Sequence, residues 1–392
     1  MKTFSPTAAI VLCALSALRC SPDAAPTKTV VAFPTQRPTF PSDGRTLGFV
    51  ANQYSDTVSV VDLATLTVLG EVPIGINPVE LDGPRQITLD STRGVAYVLF
   101  AYPLSVVGAH AVAHGALPPF GYVRELSLLD LAPLGDMAVD RRAASFSLSD
   151  DRSLLAVAHF DQDLALLSTD IETRRSNLVL IEPAWGLQTS TATKRKASVC
   201  VAPMGVVLGK NGTRAFLACT GEDQLAVVDT ATGDVVNRVA AGDGPVNKPT
   251  AITAGPTGTQ VMLSNQLSSK VVVFTADDTA AVVFASQELP GSPGPVAFLS
   301  ATEWLVPLQS PNGIAVLDAA SGAILRQKTY PDRACANPHA ATIASDGRIF
   351  LVCEGDHYSA GALVKLDPTT LELEARVSLG LYPDQLAILS PS

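Results

Sequence analysis

Charge is scarce in this 392-residue chain: only 16% of residues are Asp, Glu, Lys or Arg, and acids outnumber bases 37 to 27. A formal charge of −10 argues against nucleic-acid backbone binding, which needs a basic surface. Cysteine is sparse at six, with no CxxCH haem motif. A nucleophile elbow, a phosphate loop and convincingly spaced paired catalytic carboxylates are also missing. From Gly94 to Val123 there is no charged residue, but Pro103, Pro118 and Pro119 with Gly108 and Gly115 argue against a membrane helix.

What is present is a repeat. The stretch from Asp43 to Gly75 reads as a turn, an apolar strand (GFVAN), a second strand (TVSVVD) and a third (VLGEVPIG). The TVSVVD signature recurs as ELSLLD (Glu125–Asp130), NLVLIE (Asn177–Glu182), QLAVVD (Gln224–Asp229), KVVVFT (Lys270–Thr275), GIAVLD (Gly313–Asp318) and ALVKLD (Ala362–Asp367). Most copies end in a carboxylate, suited to accepting N–H groups of the next turn, so these acids read as structural. GFVAN recurs in register as AYVLF, LAVAH, AFLAC, VMLSN, WLVPL and IFLVC, usually after a glycine turn. A period of about 45–50 residues with short, evenly spaced strands argues for propeller blades.

The units PSDGRTLGFVANQYSDTVSVVDLAT and KNGTRAFLACTGEDQLAVVDTATGDVV resemble the YVTN family of β-propeller repeats, from about Pro41 to Ser392. The resemblance implies an all-β fold: a seven-bladed β-propeller of four-stranded antiparallel blades. Blade one lacks a local innermost strand. The C-terminal segment Asp384–Leu389 is expected to supply it, pairing in blade one and closing the ring. Such propellers host unrelated activities, so the resemblance specifies fold more than function. Lactonase relatives carry GPRH at a blade start; here Gly83-Pro84-Arg85-Gln86 replaces the histidine. Two tryptophans, Trp185 and Trp304, are too few for the docking repeats of quinone-binding propellers.

Residues 1–19 read as an export signal, with Lys2 before an apolar core, Ala8–Leu18, too short to span a bilayer. Cys20 is the expected lipidation site, and residues 20–40, rich in Pro, Thr and Ala, the tether to a propeller over 41–392. The place expected is the bacterial cell envelope, membrane contact being only through that anchor; plain secretion is the alternative. CVAPMGVVLGKNG (Cys200–Gly212) aligns with CANPHAATIASDG (Cys335–Gly347), and each is followed by a cysteine ending a second strand. The first strand of a blade leaves the top face and the second returns to it, so disulfides Cys200–Cys219 and Cys335–Cys353 are expected, in keeping with export. A four-cysteine metal site is disfavoured by their placement in different blades.

All five histidines map to the top face: His110 and His114 in the long loop of blade two, His159 in blade three, His339 and His357 in blade seven. Arg85, Asp161, Asp163, Glu354 and Asp356 accompany them. No ligand spacing supports a metal, and no cofactor is expected. The expected function is a monomeric, non-catalytic scaffold. It would bind a protein or small ligand through Arg85, His110, His114, His159, Asp161, His339, Glu354 and His357. The alternative is a lactonase, hydrolase or lyase at the channel mouth.

Overall fold

The computed structural model describes residues 36–75, 81–101, 121–160, 175–183, 194–244 and 246–391. Its strands form seven antiparallel sheets, each one blade of a ring. Blade one holds β1 (Leu47–Asn52), β2 (Thr57–Asp62) and β3 (Thr67–Pro73), and blade two β4 (Pro84–Asp90), β5 (Val95–Phe100), β6 (Tyr122–Ser127) and β7 (Pro133–Ala138). Blade three follows with β8 (Ala143–Leu148), β9 (Leu155–His159), β10 (Ser176–Ile181) and β11 (Lys194–Cys200), and blade four with β12 (Pro203–Leu208), β13 (Arg214–Cys219), β14 (Gln224–Asp229) and β15 (Val235–Ala240). Blade five contains β16 (Pro249–Ala254), β17 (Gln260–Asn265), β18 (Lys270–Thr275) and β19 (Val282–Ala285). The innermost strand of blade six is broken at Gly294-Pro295 into β20 (Ser292–Pro293) and β21 (Ala297–Phe298), beside β22 (Glu303–Gln309), β23 (Gly313–Asp318) and β24 (Ile324–Thr329). A short helix, α1 (Asp332–Cys335), leads into blade seven: β25 (Pro338–Ile343), β26 (Ile349–Cys353), β27 (Ala360–Leu366) and β28 (Leu373–Leu381).

The last strand, β29 (Pro383–Leu389), pairs antiparallel with β1, Leu47 opposite Leu389 and Phe49 opposite Ala387, so the tail closes blade one as expected. Closure is visible in the packing too. The second and third strands of a blade are apolar on both faces because each blade is sandwiched between two others. One face of β1 and β2 packs Phe49 and Val60 against Val98 and Phe100 of blade two. The other packs Val50 and Val61 against Phe350 and Val352 of blade seven, with Leu386 from the closing strand.

The carboxylates ending the third strands do structural work. Asp229 Oδ1 accepts from the backbone N–H of Ala231 at 2.8 Å and Thr232 at 2.9 Å, and Asp367 Oδ1 from Thr369 at 2.9 Å and Thr370 at 2.6 Å. In blade two the strand expected at Glu125–Asp130 instead starts at Tyr122, because Tyr122 and Val123 pair with Phe100 and Leu99; Leu128–Asp130 form the turn.

Both expected disulfides are formed, with Cα–Cα separations of 5.8 Å for Cys200–Cys219 and 5.2 Å for Cys335–Cys353. Each closes a loop spanning 19 or 18 residues, so replacing either pair by alanine should lower unfolding free energy by about 3 kcal/mol. Denaturant midpoints of the two paired variants measure it. No helix among the described residues is long and apolar enough to cross a membrane. The signal, Cys20, residues 102–120 of the long loop of blade two with His110 and His114, and Asp161 and Asp163 lie outside the described residues.

Candidate functional site

In six blades the innermost strand begins with a β-bulge. The register shifts between Pro84 and Gln86, Ala143 and Ser145, Pro203 and Gly205, Pro249 and Ala251, and Pro338 and Ala340. In β29 the shift lies opposite Val50–Asn52, after Pro383. A bulge adds one residue to a strand and re-aims its side chain. The residues so placed are Arg85, Ala144, Met204, Thr250, His339 and Asp384, and all six line the central channel, a cavity of about 690 Å³.

Three of these positions, in the consecutive blades seven, one and two, carry charge. His339 Nε2 lies 3.3 Å from Asp384 Oδ1, and Arg85 Nε lies 3.7 Å from Asp384 Oδ2. Beyond His339, its Nδ1 lies 2.5 Å from Glu354 Oε1, and Glu354 Oε2 in turn lies 3.0 Å from His357 Nε2. The result is one row across three blades: Arg85, Asp384, His339, Glu354, His357. Asp384 and Glu354 are almost wholly buried at 3% and 5% exposure. Among the described residues, Arg85 Nε and Asp384 Oδ2 make no hydrogen bond.

Local chemistry explains how His357 is presented. Glu354 follows Cys353, which is pinned by its disulfide. The turn beyond it runs through positive φ at Gly355 (81°) and His357 (67°). Asp356 holds that turn by accepting from Tyr358 N at 3.0 Å and Ser359 N at 2.7 Å, so its role is structural. The His357 ring lies against Tyr382, centroids 4.0 Å apart, with Tyr54 edge-on to both.

Burial works against a charge on His339, but the Asp384 charge and hydrogen bond, followed by those of Glu354, override it and push its pKa up to about 10. His339 is therefore an imidazolium at neutral pH. Burial alone would raise Asp384; the charge and hydrogen bond of His339, with Arg85 behind it, hold it below the ordinary carboxylate range. Desolvation, then the negative charges of Glu354 and Asp384, drive the Tyr382 phenol upward, so it stays protonated. The sign of the resulting pH dependence is definite. A raised histidine stabilises the fold fully below about 6.5, progressively less above it, and not at all once pH passes about 10. Denaturant melts from pH 6 to pH 10.5 should lose stability across that window, and His339→Gln should flatten the slope.

Of the residues singled out in the sequence, Arg85, His339, Glu354 and His357 meet in this row, and His159 does not. Its ring is buried, with Nδ1 2.7 Å from the Asn177 carbonyl oxygen, away from the channel lining. Asp384 and Tyr382 were not anticipated. They belong to the segment read only as a closing strand, although Tyr382-Pro383-Asp384 repeats the Asn337-Pro338-His339 pattern. Cys200, Cys219 and Glu222 also cluster within 4.8 Å, but both sulfurs are bonded to each other and offer no thiolate.

Solved structures place the fold in company. The periplasmic gluconolactonase PpgL of Pseudomonas aeruginosa superposes with a TM-score of 0.64 at 16% identity, covering 88% of this chain and 100% of that one. Two proteins described as candidate 6-phosphogluconolactonases behave alike. That of Bacteroides uniformis has a TM-score of 0.62 at 12% identity, with 88% and 100% covered. That of Bacteroides fragilis has 0.63 at 10%, with 90% and 100% covered. This chain shares their propeller fold. No family model and no curated protein matches it, so the YVTN assignment rests on the sequence motifs alone.

The expectation of a non-catalytic scaffold is corrected at this point. The neighbours just named are lactonase-like propellers, and the channel wall holds a row of acids and bases whose two carboxylates are buried. Burying such charges is costly.

Proposed function

We infer that this chain is an exported propeller hydrolase, built on YVTN-type repeats and tethered through Cys20, that opens small cyclic esters at the channel mouth. The observation that carries the reading is the continuous row from Arg85 to His357, set in the central channel. Glu354 accepts the Nε2 proton of His357, which leaves Nδ1 free to take a proton from water. The water oxygen bonds to the lactone carbonyl carbon, and the Arg85 guanidinium, on the same cavity wall, balances the charge developing on the carbonyl oxygen. The ring C–O bond then breaks. The departing alkoxide takes the proton back from His357, and a hydroxy acid leaves. His339 touches no reacting atom; as a cation between Glu354 and Asp384 it holds Asp384 ionised and pairs with Glu354.

The test is a panel of γ- and δ-lactones with linear esters as comparison. Ring opening above the uncatalysed rate, lost in His357→Ala, is expected. Indifference to every lactone would sink the proposal.

A further inference from the structure

The charged row occupies only part of the channel wall. In the next two blades round the ring the same bulge position carries Ala144 in blade three and Met204 in blade four. Phe160, which follows β9 at the place where Glu354 follows β26, adds a half-buried aromatic ring to the same stretch of wall. Three polar groups of this stretch already accept hydrogen bonds from backbone N–H groups of neighbouring blades. Gln86 Oε1 accepts from Phe146 N at 2.8 Å, Ser145 Oγ from Val206 N at 3.4 Å, and Ser147 Oγ from Leu208 N at 3.0 Å. Beside Arg85, Met204 and Phe160 offer a ligand half-buried apolar surface.

Resting on the hydrolase reading above, we propose that the substrate is an amphipathic lactone: its ester lies on blades seven, one and two, and an alkyl or acyl arm lies against Met204 and Phe160. A polyhydroxylated sugar lactone fits this wall badly. Its hydroxyls would lose water against methionine and phenylalanine, which offer no hydrogen bond in return. An alkyl arm gains by the same burial, about fourfold in kcat/KM per methylene if the chain is fully covered. The rival specificity lies across the channel, where Lys248, just before the bulge residue Thr250, lines the cavity and would suit a phosphate on the substrate.

The experiment compares kcat/KM of the purified full chain on γ-lactones bearing hydrogen, propyl and hexyl substituents, on an aldonolactone, and on its phosphate ester. A rise of several-fold per methylene over the first few carbons is expected. Met204→Gln should reduce that gain and Met204→Leu should keep it, which separates lost apolar contact from a damaged fold. Equal rates along the alkyl series, or preference for the plain aldonolactone, overturn the apolar arm and leave lactone hydrolysis standing. Preference for the phosphate ester overturns it in favour of Lys248. No turnover of any lactone removes the hydrolase reading and this inference with it.

Discussion

Glu354→Gln should lower kcat for lactone opening by about 10²–10³-fold, within the range that a positioned general base contributes. The substitution keeps size and shape and removes charge from the one carboxylate that touches both histidines of the site. Glutamine offers one acceptor oxygen where glutamate offers two, so His339 and His357 compete for it and the tautomer of His357 is no longer fixed. His339 loses one of its two counter-ions and retains only Asp384. Two readouts separate this from misfolding. The pH–rate profile should change shape, because the remaining base is no longer oriented, and the melting transition should stay cooperative. A variant with parental kcat at every pH would show that Glu354 is outside the chemistry. Asp384→Asn is the companion test, and is expected to weaken the hold on Arg85 while leaving His357 with its carboxylate.

The second large effect is on the fold. Truncation after Tyr382 removes β29 and should abolish cooperative unfolding altogether. Among the described strands the deleted one is the only neighbour of β1 on the channel side, and Leu386 at 3% exposure is part of the packing between blades seven and one. Its loss uncovers an edge of unpaired backbone and a strip of apolar side chains at once. Native domains hold only about 5–15 kcal/mol in reserve. Light scattering and binding of a hydrophobic dye report the outcome. Adding residues 383–391 as a separate peptide should partly restore a melt. A truncated chain that melts like the parent would mean the ring does not depend on its clasp.

Much of the architecture was legible because it is local. Strand alternation, glycine turns and third-strand carboxylates each act over a few residues, and they recur often enough to count seven blades. The disulfides were legible for a related reason: a hairpin of fixed length brings Cys200 beside Cys219 and Cys335 beside Cys353 in two blades alike. Where a local signal was ambiguous, the strand moved, as in blade two, where Tyr122 rather than Glu125 begins β6.

The site was only partly legible. His159 and Cys353 end equivalent strands, and both are buried between blades; their successors Phe160 and Glu354 face the channel. One residue of parity thus separates a structural histidine from a functional acid, and histidine counting alone cannot see it. Asp384 shows the opposite case. As a member of the closing strand it looked structural, yet the bulge after Pro383 turns it into the channel between His339 and Arg85.

Local chain chemistry was therefore enough to specify seven blades, their disulfides and the strand that joins the two ends, because each depends on neighbours in sequence or on a repeated hairpin. Which charges meet was settled only by the closed ring. Arg85 and Asp384 stand some three hundred residues apart along the chain, near opposite ends of the propeller, and become neighbours because blade one is completed by the C-terminus.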